Sequence, residues 1–245
     1  DKKIATIPDS DAEQLDIAVK SASKAFLTWS KTNIRDRAQI MSKFKANIEN
    51  DIENLATIIA LDNGKTIDDA LGSIRRGVEV IDFSISMPNV LKGESSEVSP
   101  GINCVMTHEP IGVVAGITPF NFPVMVPLWM IPLAITAGNT FILKPSEQTP
   151  LAAIKLAEYL EKSGLPKGVF NVVHGSKNIV EAICDHSQIK AVAFVGSSKV
   201  AEIVYSRSTQ KKKRAICLGG AKNHMIVVPD ADVDSTAKGL LASSM

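Results

Sequence analysis

The sequence predicts an α/β protein: an open parallel sheet with helices on both faces. Three observations predict it. Five short, mostly apolar runs, GVVAGIT, NTFILKP, VFNVVHG, KAVAFVG and KRAICLG, follow one another from Gly112 onward. Segments of helical period separate them, which is the pattern of βαβ units. The runs are too continuous for strands wet on one side, so they suit a sheet covered on both. Crossovers in such a sheet are right-handed.

The elements follow in order. Ser10-x-x-Glu13 reads as a capping box opening a helix with Leu15, Ala18, Val19, Ala22 and Phe26 on its apolar side. One helical period runs from 35 to 61 and stops at Asp62-Asn63-Gly64, a strong end signal. A third helix spans 66–90. From 94 to 108 the period is lost, and the Ser, Gly and Pro content points to extended arms or a hairpin. GVVAGIT is then a strand, 123–137 a helix starting at Pro123, NTFILKP a strand and 150–163 a helix. VFNVVHG, 178–184, KAVAFVG, 197–208 and KRAICLG continue the alternation, and a last helix begins near Asp234.

Bulk composition narrows the function. At 245 residues the chain can hold one large domain or nearly two. A net charge of +1 favours neither nucleic acid nor acidic ligands. The one dense basic patch, Lys211-Lys212-Lys213-Arg214, reads as a solvated turn between helix and strand. Cys104, Cys184 and Cys217 have no CxxC spacing, so neither a disulfide framework nor a zinc site is expected. A reducing compartment fits: cytoplasm, or mitochondrial matrix in a eukaryote. The four histidines show no HExxH or paired spacing, so no metal is expected. The start lacks the apolar core of a signal peptide. Both ends read as if cut from a longer chain.

No charge stands between Glu109 and Lys144, a run long enough to cross a bilayer. Prolines at 119, 123, 127 and 132 break it, and interior prolines cost about 3 kcal/mol each. It parses better as strand, tight turn and buried helix. Asn121 sits in that turn, between two phenylalanines and two prolines.

Ligands in open α/β sheets bind outside the carboxyl ends of the strands. Three features fall there. Thr118-Pro119-Phe120-Asn121 follows the first strand of the sheet, and Asn121 offers an amide donor in an apolar setting. Lys144-Pro145-Ser146-Glu147 follows the next, pairing opposite charges where ribose hydroxyls could be held. Phe194-Val195-Gly196-Ser197-Ser198 turns a strand into a helix. Its glycine allows close approach, and its free N–H groups attract phosphate. Each feature alone equally fits a plain turn or helix cap.

Taken together, GITPFNFP, PLWMIPLAITAGNTFILKPSE, SGLPKGVFNVVHG and IKAVAFVGSSKVAE resemble the aldehyde dehydrogenase superfamily over nearly the whole chain. PLWM, KPSE and Gly220-Ala221-Lys222-Asn223-His224 are similar to its CoA-acylating methylmalonate-semialdehyde (malonate-semialdehyde) branch. The resemblance implies a Rossmann-type NAD-binding domain over 1–93 and 109–219. It implies an oligomerisation hairpin at 94–108 and the start of a truncated catalytic domain at 220–245. It places Thr118 and Phe120 at the nicotinamide half of NAD, Lys144, Glu147 and Gln148 at the adenosine ribose, Gly196 and Ser197 at the pyrophosphate, and Gly219 near the nicotinamide. It makes Asn121 the oxyanion donor and Arg76 the cation for a substrate carboxylate.

The implied reaction oxidises methylmalonate or malonate semialdehyde with NAD, passes the acyl group to CoA and loses carbon dioxide. The implied assembly is a homo-oligomer, with no nucleic-acid or membrane partner. Two departures qualify this. Where most of the superfamily has a glutamate in ELGGK, this chain has Cys217-Leu218-Gly219-Gly220, which fits acyl transfer to CoA rather than water. The superfamily's nucleophilic cysteine lies downstream of Met245, so this segment alone is expected to be inactive. A hydrolytic aldehyde dehydrogenase and a catalytically silent NAD-binding fragment remain the alternatives.

Overall fold

The computed structural model describes residues 4–244. The first four helices are α1 (Ala12–Trp29), α2 (Ile34–Asn50), α3 (Ile52–Asn63) and α4 (Ile67–Val90). The capping box is real but sits one residue later than expected. Asp11 accepts from Glu13 and Gln14 backbone N–H groups, and the Gln14 side chain returns a bond to Asp11. The single helix expected over 35–61 is two. Asp51 breaks it, held by the Tyr159 hydroxyl at 2.7 Å and by Lys155 at 3.4 Å. Those partners lie more than a hundred residues downstream, beyond the reach of local periodicity.

An antiparallel hairpin of β1 (Glu94–Ser99) and β2 (Ile102–Met106) follows, exposed along its whole length. Then come β3 (Val113–Ile117), α5 (Met125–Thr136), β4 (Thr140–Lys144), α6 (Leu151–Lys162), β5 (Phe170–Val172) and α7 (Lys177–Asp185). β6 (Ile189–Val195), α8 (Ser198–Gln210), β7 (Arg214–Leu218) and α9 (Val233–Ser244) complete the chain. The five later strands form one parallel sheet in the order β5-β4-β3-β6-β7.

Strand periodicity sends alternate side chains to opposite faces. Val114, Phe141 and Leu143 join the core beneath α2 to α6, while Val113, Ala115, Ile117 and Ile142 join a second core beneath α1, α7 and α8. Pro123 precedes α5 rather than opening it, because residues 121–124 form a turn. The interior Pro132 costs α5 about 3 kcal/mol. Leu128, Ile131 and Ile135, all fully buried, contribute about 1.5–3 kcal/mol each and outweigh it.

Lys213 corrects the solvated-turn reading of the basic patch. It is buried, and its ammonium donates to the carbonyls of His186 and Ile189, the latter at 2.7 Å. Among the described residues no helix is long and apolar enough to cross a membrane.

Candidate active site

The strand order reverses between β3 and β6. Successive strands leave β3 toward β4 and β5 on one side, then return to β6 and β7 on the other. The crevice at such a switch point is where open α/β sheets take ligands. Thr118 follows β3, Lys144 ends β4, Gly196 and Ser197 follow β6, and Gly219 follows β7. These expected positions therefore share one edge of the sheet.

At the end of β4, Lys144 is buried and its Nζ lies 2.9 Å from Glu147 Oε2. Burial alone would raise the Glu147 carboxyl. The Glu147 backbone N–H and the Lys144 ammonium outweigh it and hold the group below the usual carboxylate range. Glu147 is half-exposed, so one face of the pair meets solvent. Gln148 beside it is exposed. A cavity of about 250 Å³ adjoins this turn, lined by Ile4, Ile7, Asp62, Glu147, Gln148 and Pro150. Just after β5, His174 is buried with Nδ1 unpartnered. Burial, then the nearby Lys144 charge, lowers its pKa and keeps it neutral. No motif spacing singles out this histidine in the sequence.

The β6–α8 corner is built by backbone. A Cβ on Gly196 would come within 2.5 Å of the Phe194 ring, and one on Gly219 within 2.9 Å of Ser198 Oγ. Only glycine allows either approach. Ser197 is the N-cap of α8, yet its side chain makes no capping bond and is exposed. Ser198, part of the sequence motif but given no role there, accepts the Gly220 N–H at 3.0 Å and ties the end of β7 to the start of α8.

The β3–α5 loop carries Asn121, which the structure leaves exposed rather than in the apolar setting expected. Thr118 N–H donates to the Lys144 carbonyl at 3.1 Å, while its buried Oγ1 has no partner. Phe120 is 51% exposed and Asn121 is exposed. No hydrogen bond to a described residue engages the Asn121 side chain.

The aldehyde dehydrogenase family matches residues 1–245 of this chain. The chain belongs to that family. Malonate-semialdehyde dehydrogenase 1 of Geobacillus kaustophilus is 49% identical over 242 residues, which is 98% of this chain and 50% of that protein. The crystal structure of methylmalonate-semialdehyde dehydrogenase from Oceanimonas doudoroffii superposes with a TM-score of 0.93 at 45% identity, covering 96% of this chain and 49% of that one. A Sinorhizobium meliloti 1021 protein complexed with NAD gives the same TM-score at 46% identity, covering 96% of this chain and 48% of that one. The chain thus spans about half the length of the relatives it matches.

Two features of this aldehyde dehydrogenase chain bear on its chemistry. Cys217 is partly buried against the second core, and burial first, then Cys184, pushes its thiol up to about 11. A thiol held that high favours its protonated form near neutral pH. Arg76 lies exposed on α4. Its neighbour Gly77 packs on Leu128 of α5.

Proposed function

We propose that this chain is the cofactor-binding half of an NAD-dependent, CoA-acylating dehydrogenase for malonate or methylmalonate semialdehyde. The observation that carries the reading is the row of unspent polar groups along the carboxyl ends of the strands. Thr118 Oγ1 and His174 Nδ1 are buried without partners, and the side chains of Asn121 and Ser197 bond nothing described. Buried polar atoms are almost always satisfied, so the orphaned Thr118 Oγ1 and His174 Nδ1 suit an absent ligand.

These residues fit NAD. Lys144 and Glu147 hold the ribose hydroxyls, with Gln148 alongside. Gly196 and the Ser197 N-cap present N–H groups and a hydroxyl to the pyrophosphate. Thr118, Phe120 and Gly219 border the nicotinamide. The Glu147 carboxylate repels a 2′-phosphate, which favours NAD over NADP. When bound, NAD supplies the hydride acceptor. Asn121 donates its amide N–H to the substrate oxygen as a thiol from the second half of the enzyme adds to the carbonyl. One such donor is worth about 2.7–4 kcal/mol.

Arg76 takes the substrate carboxylate, for which a guanidinium fork is suited. With a protonated thiol at 217 in place of a carboxylate, no general base activates water there, and CoA takes the acyl group. The substrate's β-carboxylate leaves as carbon dioxide. Residues 1–93 and 109–219 form the cofactor domain, and 220–245 begin the catalytic one. The hairpin at 94–108, with Val98, Ile102, Val105 and Met106 exposed, supports self-association into a homo-oligomer. The enzyme works in the cytoplasm.

CoA dependence of the full-length enzyme tests this. With malonate semialdehyde and NAD, sustained turnover requires CoA and yields acetyl-CoA. An equal steady-state rate without CoA, releasing free acid, would establish the hydrolytic alternative.

A further inference from the structure

The Asp62-Asn63-Gly64 stop at the end of α3 has partners that a helix terminator does not need. Asn63 Nδ2 donates to the Phe120 carbonyl at 2.7 Å. The same carbonyl accepts from Thr149 Oγ1 at 3.3 Å, and Thr149 is buried at the start of α6. Gly64, at φ 86°, turns the chain back through the left-handed region that glycine favours. Lys65 then lies 4.2 Å above the centre of the Phe122 ring. Asp62 accepts the Leu151 N–H at 3.0 Å and fastens the same turn to α6.

Asn121 therefore sits between two residues that are each held from α3. Its own side chain has no hydrogen-bonding partner among the described residues. The backbone of residues 120–122 therefore carries the position of its amide. An oxyanion donor must stand about 2.7–3.1 Å from the oxygen that becomes charged, and a displacement of about 1 Å can cost roughly 100-fold in rate.

We propose that the Asn63–Lys65 turn positions Asn121 for catalysis, Asn63 by holding the Phe120 carbonyl and Lys65 by covering Phe122. The assignment rests on the oxyanion role proposed above. Asn63 and Lys65 touch no reacting atom. They are positioning residues that act through Asn121.

The test is a double-mutant cycle in the full-length enzyme, read by single-turnover hydride transfer and by direct NAD titration. Asn121→Ala lowers the rate about 10²–10³-fold. Asn63→Ala lowers it about 10- to 100-fold in the native background, with the Kd for NAD unchanged within about twofold. In the Asn121→Ala background the same change costs less than about twofold, because residues acting through one group are not additive. An equal loss in both backgrounds, or none in the native one, overturns the proposal and leaves the oxyanion reading standing. No loss from Asn121→Ala overturns both.

If Asn63→Ala does not fold, Lys65→Met takes its place. It lowers the native rate about two- to fivefold, the equivalent of an exposed cation–π contact, and has no effect once Asn121 is alanine. An unchanged native rate overturns the proposal.

Discussion

The two edges of the parallel sheet handle polar groups in opposite ways. At the amino edge, the buried charged and amide side chains bond to several backbone groups each. Arg37, buried, donates to the carbonyls of Thr32 at 2.7 Å and Thr136 at 2.8 Å, and more weakly to Trp29 and Ser30. Lys213 donates to His186 and Ile189 carbonyls. Asn139 accepts from Ile111 and Gly112 and donates to Ala134. The hydroxyls of Thr136 and Thr140 are the exceptions there.

At the carboxyl edge, Lys144 has one half-exposed carboxylate for a partner, and Asn121, Ser197 and His174 keep atoms unspent. Both edges bury a cation. One uses it to end helices, where carbonyl dipoles favour positive charge. The other leaves it facing a crevice. Burial of a charge thus does not by itself mark a site.

The largest effect that could break this comparison is on stability. Arg37→Ala strips the Thr32 and Thr136 carbonyls of charge-assisted bonds and is expected to lower unfolding free energy by about 3–5 kcal/mol. Urea denaturation measures it, and a loss below about 1 kcal/mol would erase the difference between the edges. Lys144→Met should do the reverse. NAD affinity of the full-length enzyme falls about 10- to 100-fold, one charge-assisted bond or two, while the urea midpoint barely moves. Titration calorimetry beside the denaturation curve decides it.

The smallest effect is a slope with pH. His174 has its folded pKa depressed below the ordinary 6.5, by burial first and then by Lys144. As pH falls below that ordinary value, the unfolded chain takes up a proton that the folded one refuses, so stability declines. His174→Gln should flatten the decline between pH 7 and 5. Parallel slopes for the two proteins would remove His174 from the account.

The strands were legible because each is an apolar run closed by glycine, proline or a charge, and the hairpin because its period breaks. The helix break at Asp51 was not, since Tyr159 and Lys155 make it from another part of the chain. The cap at Asp11 rather than Ser10 turned on Gln14, one position past the glutamate that suggested the box. The Lys144–Glu147 pair could be read because both residues lie in one turn. Asn63, Ser198 and Lys213 could not, because their partners are Phe120, Gly220 and the carbonyls of His186 and Ile189. Sequence discloses a group's chemistry where its partner is near in the chain, and hides it where folding supplies the partner.

The sheet order has a consequence for synthesis. β3 leaves the ribosome before every other strand of the sheet and ends at its centre, between β4 and β6. Its partner residue Ile189 follows Val113 by about 76 positions. At roughly 5–20 residues per second, one flank of VVAGI waits some 4–15 s for β6 to emerge. That interval is when a nascent chain is most open to joining its neighbours. A holdase at the exit tunnel, covering that flank until β6 emerges, should raise the soluble yield of this half.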